Sequence, residues 1–101
     1  MSEDAGDAVA PAFQTRVVRI CNKRGLHARA AARFVKCAGA FSAEISVARD
    51  NHIVSGLSIM GLMMLAAAQG SDIEIRARGS DAAAALEALA GLVEAGFDER
   101  G

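Results

Sequence analysis

Apolar residues recur along this chain with two different periods, and the switches between them mark its elements. Thr15-Arg16-Val17-Val18-Arg19-Ile20-Cys21 is β-branched and roughly alternating, which predicts a strand with Val18 and Ile20 on one face. Asn22-Lys23-Arg24-Gly25 breaks it. His27 to Gly39 is Ala-rich, with Ala31, Phe34, Val35 and Ala38 at helical spacing, and reads as an amphipathic helix that stops at Gly39. Period two returns over Ala43 to Ala48, with Ile45 and Val47 on one face. Arg49-Asp50-Asn51 makes a tight turn, and His52 to Ser55 comes back as a short strand. Ser58 to Leu65 reads as a short helix with Ser58 as N-cap. After the break at Gly70-Ser71, Asp72 to Arg78 alternates strictly with Ile73, Ile75 and Ala77 inward. Gly79-Ser80-Asp81 turns into a last helix, Ala82 to about Ala95, with Leu86, Leu89, Leu92 and Val93 as its buried stripe.

The predicted order is β-α-β-β-α-β-α. Each alternating strand keeps one polar face, so the helices should cover one side of the sheet only. The expected fold class is α+β, a two-layer open-faced sandwich with a four-stranded antiparallel sheet and three helices on one face. Residues 1–12 are small, acidic and Ala/Gly-rich, hold the only proline (Pro11), and read as a flexible tail; 13–101 form the single domain.

Composition narrows the function. At 101 residues and 52% apolar the chain can bury one small core. It has no Trp or Tyr and four Phe, too few for base-stacking platforms, so nucleic acid is not expected as a partner. Cys21 and Cys37 match no disulfide framework or CxxC metal motif and read as two small, semi-buried thiols. The acidic start, Met1-Ser2-Glu3-Asp4, is unlike a signal peptide. The longest apolar stretch, Ile59 to Ala68, is half of what a membrane span needs. The expectation is a cytoplasmic, soluble monomer without membrane partner, cofactor or metal.

The net charge of −1 hides a segregation. Seven of the eleven basic residues (Arg16, Arg19, Lys23, Arg24, Arg29, Arg33 and Lys36) lie between Asp7 and Glu44, an interval without an acid. Residues 71–101 carry seven acids against three arginines. His27 sits inside the basic unit, after a glycine-containing loop and at the start of a helix. At the N-cap its ring would lie over the first-turn N–H groups of Ala28, Arg29 and Ala30, where anions bind. The planar guanidinium of Arg29 suits phosphate oxygens. A neutral imidazole nitrogen is a good nucleophile toward phosphorus, and small side chains at 28, 30, 31 and 32 leave room for a partner. These features describe a reversible phosphoryl acceptor, although the Gly-x-His-x-Arg spacing is also met at ordinary helix starts.

Asn22-Lys23-Arg24-Gly25-Leu26-His27-Ala28-Arg29-Ala30-Ala31-Ala32-Arg33-Phe34-Val35 resembles the active-site signature of the HPr family, the histidine-containing phosphocarriers of the bacterial phosphotransferase system. Val54-Ser55-Gly56-Leu57-Ser58-Ile59-Met60-Gly61-Leu62-Met63-Met64-Leu65 resembles the regulatory-serine region of the same family, at the matching separation. The resemblance covers Phe13 to about Phe97. It implies that His27 accepts a phosphoryl group on Nδ1 from phosphorylated enzyme I, the phosphoenolpyruvate-dependent kinase, and donates it to a histidine of an enzyme IIA protein. It implies that Arg29 helps to neutralise the phosphate. It makes Ser58 the serine phosphorylated by HPr kinase/phosphorylase in members with that control. Such a protein is a carrier without turnover of its own. One position departs: the family's usual proline after the arginine is Ala30 here, as in the nitrogen-related branch, which regulates rather than transports sugar. Alanine keeps helix propensity and restores an N–H near His27.

The short helix after Ser58 is more apolar than a core contact requires, and Ile59, Met60 and Met63, with Ala28 and Arg33, are the candidate partner-binding residues. Ser58 could serve as N-cap alone. His52 reads as an edge residue. Gly56 to Gly61 lacks the lysine of a phosphate loop, so no nucleotide site is expected. Two other function classes compete: a regulatory binding module whose partner is set by the phosphorylation of His27 and Ser58, and an RNA-binding sandwich, which the missing aromatics disfavour.

Overall fold

The computed structural model describes residues 12–99. The tail expected at 1–12 therefore lies, except for Ala12, outside the described residues. β1 (Gln14–Arg19) leads through an eight-residue loop to α1 (Ala28–Ala38). The hairpin of β2 (Glu44–Arg49) and β3 (His52–Ser55) follows, turning through Asp50 at φ 55°. Then come α2 (Ile59–Met64), β4 (Asp72–Arg78) and α3 (Ala82–Glu94). The sheet order is β1-β4-β2-β3 and every pairing is antiparallel. The expected two-layer, open-faced α+β sandwich is the observed architecture.

β4 is central, with a partner on each side, and its strict alternation is the burial pattern of the sheet. Ile73, Ile75 and Ala77 face the helices. Register sets Val18 opposite Ile73 and Val47 opposite Ile75, in adjacent rows of one inward face shared by three strands. Phe34 of α1, Leu62 of α2, and Leu89 and Val93 of α3 close over that face and are fully buried. The outer face is laced by charge, with Val17 and Ile53 exposed among the polar side chains. Arg19 pairs with Asp72 at 3.1 Å and Arg78 with Glu44 at 2.9 Å, and the guanidiniums of Arg76 and Arg78 lie 4.6 and 4.4 Å from the Phe13 ring centroid.

Two expectations are corrected. Leu92 is only half-buried, because the Ala-rich α3 turns Ala82, Ala85, Ala90 and Leu86 toward the core beside Leu89 and Val93. Cys21 is exposed, its Sγ 3.5 Å from the carbonyls of Val93 and Glu94, so only Cys37 is semi-buried. A 3₁₀ turn, Gly96–Asp98, follows α3, with Gly96, Phe97 and Asp98 all left-handed (φ 65°, 57° and 59°). Left-handed backbone is costly for Phe and Asp, and the complete burial of Phe97 compensates for it.

Candidate functional site

The loop between β1 and α1 is sewn to the segment that follows α2. Ile20 N donates to Ser71 O at 2.8 Å, Gly70 N to Ile20 O at 2.7 Å and Leu26 N to Ala67 O at 2.9 Å. Gly25 makes the closest approach. Its φ is +65°, and a Cβ there would lie 2.5 Å from Ala67 O. The chain thus has one way into α1, and His27 arrives at the N-cap in extended conformation (φ −78°, ψ 180°), as the sequence predicts.

The helical ladder begins with Ala31 N donating to His27 O at 2.8 Å. The N–H groups of Ala28, Arg29 and Ala30 precede it. The His27 side chain does not cap them, and no acidic residue lies in the first turn. The start of α1 therefore carries uncompensated partial positive charge next to the imidazole. Arg29 is exposed on that first turn and Ala28 beside it is exposed. Arg33, one turn on, is exposed too, but its Nη1 donates to Phe97 O.

The ring of His27 finds its hydrogen-bond partner outside α1. Its Nε2 is bonded to Glu99 Oε2, in a contact where the two side chains retain 16% and 17% of their exposure. A carboxylate only accepts, so the proton of this bond sits on Nε2, and in the neutral ring that arrangement leaves the lone pair on Nδ1. Asn22 completes the arrangement. Its amide donates to Gly25 O at 2.8 Å and to Glu99 Oε1 at 2.9 Å, so both carboxylate oxygens are engaged. The Asn22 bond holds the Glu99 carboxyl below the usual glutamate range, helped by the His27 bond and opposed by partial burial; the charges of His27 and Arg24 add smaller depressions. Glu99 is the member of this arrangement that sequence reasoning missed. The acidic C-terminal region was visible only as a balance to the basic unit, and a contact across 72 positions leaves no local signal.

Ser58 sits at the N-cap of α2, its Oγ accepting from Gly61 N at 2.9 Å. Leu62 alone of α2 is buried. Ile59, Met60 and Met63 are exposed (41%, 70% and 41%), and Leu57 and Met64, which the sequence reading did not single out, extend the apolar patch. α1 packs against α2, so the patch and the His27 helix belong to one surface. His52 is exposed on β3, opposite Arg49 of β2. Among the described residues no cluster of His, Cys, Asp and Glu could hold a metal, and no helix is long and apolar enough to cross a membrane.

Comparison with known proteins gives this geometry its family. The model described as the PTS HPr component phosphorylation site matches residues 14–95. The chain is 46% identical over 84 residues to the phosphocarrier protein NPr of Shewanella violacea, covering 83% of this chain and 92% of that one. It is 48% identical over 82 residues to the phosphocarrier protein HPr of Neisseria meningitidis serogroup A, covering 81% and 92%. A crystal structure of HPr from Thermoanaerobacter tengcongensis superimposes with a TM-score of 0.83 at 43% identity, over 87% of this chain and 99% of that one. A match of that extent in sequence and in fold settles the family: this chain belongs to the HPr phosphocarriers of the phosphotransferase system, which carry a phosphoryl group rather than turn over a substrate of their own.

Proposed function

We propose that His27 is the phosphoryl acceptor, loaded from phosphorylated enzyme I with a group that originates in phosphoenolpyruvate and discharged to a histidine of an enzyme IIA protein. The observation that carries this reading is the pairing of an imidazole with a bare helix start. Nε2 is held by Glu99, which in the neutral ring leaves the lone pair on Nδ1, and the first-turn N–H groups of α1 have no side-chain cap from His27. In the loading step the Nδ1 lone pair forms the new N–P bond while the donor's bond to phosphorus breaks and its electron pair stays with the donor. Donation runs the same exchange in reverse. The arriving group brings negative charge to a helix N-terminus, and the exposed Arg29 can reach its oxygens as a planar fork.

Both protein partners would dock on the surface shared by α1 and α2. Ala28 and Arg33 would contribute from α1 and the flexible thioethers of Met60 and Met63, with Ile59, from α2. Ser58, at the edge of that patch, is the site at which HPr kinase/phosphorylase would act where the cell has it. The carrier would work as a cytoplasmic monomer, its single patch free for each partner in turn.

The test is incubation with phosphoenolpyruvate and enzyme I followed by intact-mass analysis. One acid-labile phosphate is expected, absent from His27→Ala. No gain with any enzyme I paralogue refutes the reading. A second reading, a regulatory module whose partner follows the phosphorylation of His27 and Ser58, is favoured by Ala30 in place of the family's usual proline and by the likeness to an NPr. It predicts that capture of binding proteins changes on phosphorylation while no enzyme IIA accepts the group.

A further inference from the structure

The turn that ends the described chain is built at a cost. Three consecutive residues are left-handed, two of them not glycine. Two things hold them there: the Phe97 ring, wholly buried in the core, and Arg33 of α1, whose guanidinium donates to Phe97 O. The result of that turn is the position of one side chain. Glu99 is brought back over the β1–α1 loop with Oε2 on His27 Nε2 and Oε1 on the Asn22 amide. Asn22 is itself buried, and its two amide protons are both committed, one to Gly25 O and one to Glu99, which fixes its orientation. Fold strain, a buried aromatic anchor and a buried amide thus converge on a carboxylate that meets the nitrogen not used for transfer.

We propose that Glu99 is a positioning residue for phosphoryl transfer, holding the His27 ring as its Nε2–H tautomer with Nδ1 unprotonated. This deepens the assignment of His27 as acceptor and rests on it. A neutral imidazole has one N–H; if it sits on Nδ1, that nitrogen has no lone pair for phosphorus. The carboxylate keeps the proton on Nε2 before, during and after the step. When the N–P bond forms, the ring gains positive charge because Nε2 stays protonated, and the carboxylate offsets that charge at hydrogen-bond distance. When the group leaves, the electron pair of the N–P bond returns to Nδ1, and no proton has to move. Asn22 orients the carboxylate as the carboxylate orients the ring.

The experiment compares the parent chain with Glu99→Ala and Glu99→Gln in two measurements. The first is ¹⁵N NMR of the His27 ring in the unphosphorylated protein, which needs no phosphate and no partner. The parent should show a protonated Nε2 whose N–H is protected from water exchange. Glu99→Ala should lose that protection and populate both tautomers, with backbone amide spectra unchanged beyond the residues around 22, 27 and 99. The second is the initial rate of phosphoryl uptake from phosphorylated enzyme I. It should fall at least fivefold in Glu99→Ala and by a smaller factor in Glu99→Gln, whose amide oxygen still accepts a hydrogen bond but carries no charge. Unchanged ring nitrogens together with an unchanged uptake rate in both variants would overturn the role of Glu99. If the parent takes up no phosphate, the acceptor assignment itself fails; if the parent is loaded and the variants match it, only the role of Glu99 falls. Should Glu99→Ala unfold, Glu99→Gln, which is isosteric, carries both measurements.

Discussion

Ser58 offers a perturbation in which stability and docking can be separated by the choice of replacement. Its Oγ accepts from Gly61 N at 2.9 Å at the start of a six-residue helix. Ser58→Ala removes that bond, and an N-cap lost to alanine costs about 1 kcal/mol. In a domain of this size that lowers the melting temperature by roughly 4–8 °C. Ser58→Asp keeps an acceptor at the cap and adds a charge that the helix start favours, so the melting temperature should stay near that of the parent. Docking should behave in the opposite way. The new carboxylate would lie at the edge of Ile59, Met60 and Met63, and covering an unpaired charge in an apolar interface costs at least about 2 kcal/mol, or roughly 30-fold. The assay is the initial rate of His27 phosphorylation by enzyme I at low carrier concentration, measured beside thermal unfolding of each variant. The expected pattern is a slow but stable Ser58→Asp and a less stable Ser58→Ala that is loaded at close to the parental rate below its transition. Equal rates for the parent and Ser58→Asp would refute the electrostatic account. A slow Ser58→Ala with intact stability would mean that the hydroxyl itself meets the partner.

Gly25→Ala should be destabilising by about 2 kcal/mol or more, since it combines a left-handed backbone with a Cβ 2.5 Å from Ala67 O; urea unfolding measures it. Loading of His27 should fall with it, because Leu26 and His27 follow directly. Met60→Glu changes a side chain that is 70% exposed, so stability should move by no more than about 0.5 kcal/mol while the KM of enzyme I for the carrier rises; an unchanged KM would remove Met60 from the interface. The pH dependence of stability should carry the mark of Glu99. Its carboxyl is held below the glutamate range in the folded chain, by Asn22 first and then His27, so the unfolded chain binds the proton more readily. That contribution is complete above the ordinary glutamate pKa and is lost as pH falls toward the lowered one. The stability advantage of the parent over Glu99→Gln should therefore shrink on acidification through that window in urea titrations, and an advantage that grows would contradict it.

What the sequence made legible was whatever a local period or a local cap determines. Strict alternation marked β4 at its observed limits, Asp72–Arg78, because a strand buried on one face must alternate. His27, Gly39 and Ser58 marked helix ends, because ends need their own residue types. Alternation says which face a residue takes but not which strand lies beside it, so the order β1-β4-β2-β3 was beyond it. α3 is apolar over most of its circumference, and with four consecutive alanines at its start the orientation of its stripe was underdetermined; Leu92 was misjudged for that reason. Glu99 depended on a left-handed turn at a phenylalanine, which sequence signals assign to glycine or asparagine.

The charge segregation is also altered by the fold. The basic unit from Arg16 to Lys36 looks, along the chain, like seven cations offered to a partner. In space the acidic half returns against it. Asp72 takes Arg19, Glu87 reaches Arg16 at 3.9 Å, and Glu99 comes to the His27 ring. Arg33 is engaged with the carbonyl of Phe97. Lys23, Arg24, Arg29 and Lys36 remain exposed, and none forms an ion pair among the described residues. An acidic partner would therefore be read by these four, disposed around His27 on the β1–α1 loop and along α1, and not by the whole basic stretch. Exposed pairs of this kind contribute little to affinity once screened, but they raise association rates. Charge reversal at Lys36, the one farthest along α1 from His27, should then slow docking in a salt-dependent way and leave the chemistry of a bound encounter unchanged. A rate that falls equally at high and low salt would place Lys36 in a direct contact instead.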